Sequence, residues 1–362
     1  MMGARAFQRL ALLLTVWTFM VVVLGATVRL MDAGLGCPDW PGCYGRLVVP
    51  QSEPAISQAN LAFPERPVEV AKGWWEMAHR YVAGLLGLMI LALAVLAWRR
   101  RQDPWQPVAL PVAVVFVVLF QSVLGAWTVT WQLKPIVVVA HLLGGLAVLA
   151  LLWWTYLRSR RVGLAAGAPA AGPAMRAGAL VVLAAVVGQV ALGGWVSANY
   201  AALACTDFPT CNGSWWPRAD FAEAFVLWRG LGVNYEFGIL DNPARVAIQL
   251  SHRIGAVVVV GLVVAFAIGL LRASSHRALR RGAWLLLALT LAQFALGAAN
   301  VLLSLPLGLA AAHTAGAALL LLATVHVTHL LFAPTAEAAA VGGRSRSSPA
   351  PAGGAVLEQP SG

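Results

Sequence analysis

The sequence predicts an all-α integral membrane protein: eight transmembrane helices, arranged as two pseudo-symmetric four-helix bundles that form a parallel internal repeat. Three observations carry this fold class. Of the 362 residues, 60% are hydrophobic and only 11% are charged. So few charges cannot solvate a chain of this length in water. Apolar runs of spanning length occur eight times. Histidines and small-residue motifs then recur between the two halves at a nearly constant spacing.

The runs are Leu10–Val28, Ala78–Trp98, Pro107–Trp131, Ile136–Leu157, Ala177–Ala198, Ala247–Leu271, Ala283–Ser304 and Leu307–Leu331. The basic start Met1–Arg9 looks like a signal peptide. The run behind it is long enough to span and ends without an Ala-x-Ala site, so it is kept as a helix. Leu305-Pro306-Leu307-Gly308 should be a hairpin, because Pro and Gly break the helix there.

The formal net charge of +11 could suggest nucleic acid as a partner. No zinc-finger spacing, phosphate loop or soluble nucleotide-binding unit supports that, and basic loops beside anionic lipid explain the charge better. Arg5 and Arg9 precede the first span. Arg99, Arg100 and Arg101 follow the second. Arg158, Arg160, Arg161 and Arg176 lie between the fourth and fifth, and Arg272, Arg277, Arg280 and Arg281 between the sixth and seventh. Arg344 and Arg346 lie in the tail. With eight spans all of these fall on one side, expected to be cytoplasmic, so both termini are cytoplasmic at a cell inner or plasma membrane. The tail 333–362, rich in Ala, Gly, Ser and Pro, should be disordered.

Two long loops, Leu30–Trp75 and Asn199–Arg245, fall on the other side. Each holds one cysteine pair, Cys37 with Cys43 and Cys205 with Cys211. Outside the cytoplasm these read as two short-range disulfides. A redox-active pair in one loop is the alternative; zinc fits the spacing less well.

The repeat is read from matched residues. His79 and His252 stand 173 apart, His141 and His313 172, and the first cysteines 168. Leu124-Gly125-Ala126 answers Leu296-Gly297-Ala298. Each unit has an even number of spans, so both insert the same way about an axis along the membrane normal. The units are residues 10–160 and 175–332.

Each unit has one histidine opening its second span and one in its fourth, at similar depth. Paired imidazoles from facing helices are what a bis-histidine heme needs. His276 reads as solvated, and His326 with His329 as interfacial. The units differ at one telling place. Glu76 precedes His79 by about one turn, while Gln249 holds the matching position. A carboxylate there can move protons or stabilise a developing cation. A salt bridge to Arg80 or a helix N-terminal charge is the alternative. The N-terminal unit is therefore expected to react and the C-terminal one to hold a fixed cofactor. Arg29, Arg80 and Arg253 suit heme propionates and lipid phosphates equally.

These residues resemble one family. Gly25-Ala26-Thr27-Val28-Arg29-Leu30, then Gly34-Leu35-Gly36-Cys37-Pro38-Asp39-Trp40-Pro41 and Cys43, then Glu76, His79-Arg80, His141, His252-Arg253 and His313 are similar to heme A synthase of the cysteine-bearing bacterial type. The resemblance covers roughly residues 10 to 331. It implies an oxidoreductase that converts the C8 methyl of heme O to a formyl group by successive hydroxylations, giving heme A for cytochrome oxidase. It implies His79 and His141 as ligands of the substrate heme O, Glu76 as the catalytic carboxylate, and His252 and His313 as axial ligands of a heme b cofactor. It implies a disulfide between Cys37 and Cys43 that is open to redox change. Cys205 and Cys211 gain no role from it beyond stapling their loop. Implied partners are heme O, a heme O synthase, cytochrome oxidase assembly factors and membrane lipid, with a homo-oligomer left open. A diheme electron carrier between quinol and an extracytoplasmic acceptor is the alternative, but it would keep both units alike at Glu76 and Gln249. A transporter would need broken spans, and most here are clean.

Overall fold

Helices form wherever the sequence is apolar and free of interior Pro. The computed structural model describes residues 2–103, 105–162 and 172–333. In order the helices are α1 (Met2–Leu30), α2 (Glu53–Ala62), α3 (Val70–Arg99), α4 (Ala109–Thr130), α5 (Pro135–Ser159), α6 (Pro173–Ala198), α7 (Phe221–Ala224), α8 (Asn242–Ala273), α9 (Arg277–Leu302) and α10 (Leu307–Phe332). Eight of them, all but α2 and α7, are long and apolar enough to cross a membrane. Among the described residues there are no strands, only isolated bridges in the loops. Of the tail expected to be disordered, all but Ala333 lies outside the described residues.

Helix contacts fall into two rings. α1 packs on α3, α3 on α4, α4 on α5 and α5 on α1; α6, α8, α9 and α10 close a second ring in the same order. Between the rings, α1 packs on α10, and α5 on both α6 and α10. The ends away from the cysteine loops are filled. Phe7, Leu14, Ile90, Leu93, Val114 and Leu152 form one apolar core there. Val263, Leu270, Leu286, Leu321 and Val327 belong to its counterpart, which reaches across to Leu149 of α5. The ends toward the cysteine loops are hollow, and the site lies there.

Several helices start earlier than their apolar runs, α1 at Met2 and α9 at Arg277 among them, and three boundaries bear on the site. α3 begins at Val70, before Ala78, so Glu76 and His79 lie well inside a helix rather than at its mouth. The polar start, with Lys72 paired to Glu69 at 2.9 Å, hides that extension from an apolar-run reading. α8 likewise begins at Asn242, with a Pro in its first turn. The hairpin before α10 is shifted: Ser304 and Leu305 take left-handed φ of 57° and 60°, Pro306 caps the helix, and Leu307-Gly308 are already helical.

Candidate functional site

Two disulfide loops of one design cover the hollow ends. Both carry the pattern Cys-x-Asp-aromatic-Pro-x-Cys-x-Gly, as Cys37 to Gly45 and Cys205 to Gly213. Cys37 bonds Cys43, and Cys205 bonds Cys211. In the first loop, the Asp39 carboxylate accepts from the N–H groups of Tyr44 (2.6 Å) and Gly45 (2.7 Å). In the second, Asp207 accepts from those of Asn212 and Gly213. These bonds stabilise a turn in which Tyr44 and Asn212 hold positive φ, with the following glycine also left-handed. Burial pushes the Tyr44 phenol up to about 12; its hydroxyl donates to the Pro67 carbonyl at 3.2 Å.

The arginine after each first-site histidine clasps its loop. Arg80 donates to the carbonyls of Asp39 (3.0 Å), Pro41 (3.2 Å) and Gly42. Arg253 donates to those of Asp207 (2.9 Å) and Thr210 (2.7 Å). Arg29 ties the rings together: it donates to Ser197 O at 2.7 Å and lies 4.0 Å over the Tyr200 ring. All three guanidinium groups also line the central cavity.

Glu76 is buried, at 5% exposure. One carboxylate oxygen is 2.5 Å from Arg80 Nη2, and the other accepts from the Cys37 N–H at 2.9 Å. The salt bridge to Arg80 is therefore present, and Glu76 joins α3 directly to the disulfide backbone. Gln249 is equally buried, but its Oε1 has no partner.

The cavity between the rings measures about 1890 Å³. His79 of α3, His141 of α5, His252 of α8 and His313 of α10 all line it, as do Glu76 and Gln249. Each imidazole rests on a glycine of a neighbouring helix. A Cβ on Gly25 would come within 2.9 Å of His79 Cε1, one on Gly125 within 3.5 Å of His141, and ones on Gly193 and Gly297 within 3.1 Å of His252 and His313. Only glycine at the first leaves the ring where it is.

The His252 and His313 ring centres are 6.5 Å apart, at 80° to each other. Two imidazoles on one metal, each nitrogen about 2 Å from it, hold their ring centres about 6 Å apart. The pair therefore fits a bis-histidine heme, in a cavity large enough for a porphyrin. Gln189 holds the His252 backbone: its Nε2 donates to the His252 carbonyl at 2.8 Å and lies 3.0 Å from His252 Nδ1. Gln293 donates to the His313 carbonyl at 2.9 Å. His79, His141 and His313 leave Nδ1 buried without a partner.

The remaining histidines lie elsewhere. His276 is the N-cap of α9 and half-buried. His326 stacks obliquely on Trp153 at 5.9 Å. His329 is buried rather than interfacial, with Nε2 3.2 Å from Val162 O and its ring edge-on to Trp154. Motif reading passed over Asp207, Gln189 and Gly193, and quoted Asp39, Gly25, Gly125 and Gly297 without giving them a role. Most carried a usable signal: Gly25 and Gly193 are 168 apart and Gly125 and Gly297 172, the offsets of the repeat itself.

Comparison with known proteins gives one family. The profile described as cytochrome oxidase assembly protein (COX15-CtaA) matches residues 8–325. The chain is 44% identical over 317 residues to the heme A synthase of Shewanella oneidensis, across 88% of this chain and 94% of that protein. It is 31% identical to the heme A synthase of Caulobacter sp. (strain K31), across 84% of this chain and 90% of that one. With the heme A synthase of Paracoccus denitrificans it shares 32% identity, across 90% and 88%.

Proposed function

The chain belongs to the cytochrome oxidase assembly protein (COX15-CtaA) family, and from that premise we propose that it is a heme A synthase, oxidising the C8 methyl of heme O to a formyl group. The observation that carries the reading is one cavity with two matched histidine pairs and a carboxylate beside only one of them. The ring of α1, α3, α4 and α5 (10–160) takes the substrate, and the ring of α6, α8, α9 and α10 (175–332) holds the cofactor. A pseudo-twofold axis along the membrane normal relates them; the matching order of helix contacts supports this. The arginine-bearing segments support cytoplasmic termini, with the disulfide loops outside the cytoplasm of the cell membrane.

His79 and His141 would hold the iron of heme O, and His252 and His313 would hold heme b. When bound, heme b supplies one-electron transfer. Methyl to formyl is a four-electron oxidation: two hydroxylations, each taking an oxygen atom and passing two electrons to an external acceptor, would give a geminal diol that loses water. Glu76 is the catalytic carboxylate. Arg80 and the Cys37 N–H hold it at the cavity wall, where a carboxylate could stabilise positive charge developing on a bound heme. The same two contacts make the Cys37–Cys43 loop part of the Glu76 setting. Arg29, Arg80 and Arg253 line the cavity as propionate partners, their clasped loops fixing the position of the last two. A heme O synthase supplies the substrate, and oxidase assembly factors receive the product.

The test is the heme content of protein purified from cells that make heme O. Heme b together with heme O or heme A is expected, with His313→Ala losing heme b and keeping heme O. Two equivalents of heme b and never heme O or A would instead mark a diheme electron carrier.

A further inference from the structure

The two rings treat their outer wall differently. In the first ring the cavity wall runs along α3 down to Leu91 and along α4 back to Val115. In the second it stops at Val260 on α8 and Thr290 on α9, whose counterparts are Gly87 and Val118. The first cavity is therefore about one helical turn deeper, and His79 to Leu91 spans about 18 Å at about 1.5 Å per residue.

That deeper part is a crevice open to the bilayer. Leu88 is 68% exposed and Leu119 59%, yet both line the cavity. At its mouth stand the small residues Gly84 and Ser122, and a Cβ on Gly84 would meet nothing within 4 Å. The corresponding residues of the second ring are Val257 and Phe294. Phe294 packs edge-on against Phe208 of the second disulfide loop, ring centres 5.9 Å apart, and the Arg253 guanidinium lies 5.6 Å from the Phe208 ring centre. An aromatic pair thus narrows the second mouth, beside Val257, which is 65% exposed and also lines the cavity. In the first ring the same places hold Trp40 and Ser122, so Trp40 faces no ring there.

Resting on the function proposed above, we propose that the α3–α4 crevice is the subsite for the isoprenoid tail of heme O and its side entrance from the bilayer, while the Phe208–Phe294 plug restricts the second site to a porphyrin without a tail. The wall is apolar, it reaches directly from His79, and it faces lipid, where a prenyl chain already resides. A tail laid along Leu88, Leu91 and Leu119 adds buried apolar area that heme b, lacking the tail, cannot match.

The double variant Gly84→Val/Ser122→Phe copies the second mouth into the first. Purified wild-type and variant proteins are titrated in detergent with heme O and with heme b, and heme b retained from the cells is counted as the measure of an intact second ring. Wild type should prefer heme O at the open site by at least about tenfold. The variant should lose that preference while retaining heme b and its affinity for added heme b. An unchanged preference in the variant overturns the tail subsite, as does a wild type that binds both hemes alike, whose crevice then holds only a lipid chain. These failures differ from failure of the synthase reading, in which wild type isolated from heme O-producing cells carries neither heme O nor heme A. In the opposite direction, Phe294→Ser should raise heme O uptake at the second site; no uptake there overturns the plug.

Discussion

The two halves share a scaffold and differ at a few side chains. Both have an Asp-turned disulfide loop, an arginine clasping its carbonyls, and glycine floors under a histidine pair. These shared parts build a slot for a porphyrin. Where the first half has Glu76, the second has Gln249; where the second has Gln189 against His252, the first has Val21. The first half thus gains a fixed charge and an open wall. The second gains a braced ligand and a narrower mouth. On the function proposed above, these few differences would divide the work between reacting and holding.

The sharpest way to break this comparison is Glu76→Gln, which gives the first half the residue of the second. Heme A output should fall by at least about 100-fold, the scale of losing one preorganised electrostatic group, with heme b content unchanged. Near-normal output would remove the carboxylate from the chemistry. Next in size, Gln189→Val removes the amide that holds the His252 carbonyl and should weaken heme b retention by about tenfold or more. Dialysis against a heme scavenger would show this, and the heme O site should not respond. The arginines should then separate. Arg80→Ala strands the buried Glu76 charge and should cost about 3–5 kcal/mol. Arg253→Ala loses carbonyl bonds and the Phe208 ring contact but strands no charge, and should cost about 1–3 kcal/mol. Thermal unfolding in detergent would compare them, and equal losses would mean the ion pair adds nothing.

The smallest effect concerns pH. The Tyr44 phenol is held neutral in the fold, up to about 12 against its ordinary 10.0. Its contribution is complete below about pH 10 and disappears as pH rises toward 12. The first loop should become protease-sensitive across that window. The second, with Asn212 at the matching position, should not change.

The eight spans were legible because a membrane helix writes itself as an uninterrupted apolar run. The matched histidines were legible because duplication preserved their spacing. The start of α3 was not, since Lys72 and Trp74 read as loop although they lie in the helix, with Glu69 as its N-cap. The arginine clasps were invisible for another reason. Their acceptors are main-chain carbonyls, which every residue has, so no side-chain pattern announces them. His329 was read as interfacial from its nearness to a helix end; Val162 O and Trp154, far away in sequence, bury it. The crevice depends on what is missing at Gly84 and Ser122, and an absence becomes informative only beside Val257 and Phe294.

The cover over the site is stitched from both halves. Lys134, buried at the turn before α5, donates to Gly230 O and lies 3.5 Å from the Trp228 ring centre. The Tyr235 N–H donates to Gln132 O at 3.0 Å, and Arg66 pairs with Glu236 at 2.7 Å. Every one of these partners arrives late on a chain made N-terminus first. The leading bundle carries its own disulfide loop from the start, but these cross-stitches over it are missing until residues 228–236 have been delivered.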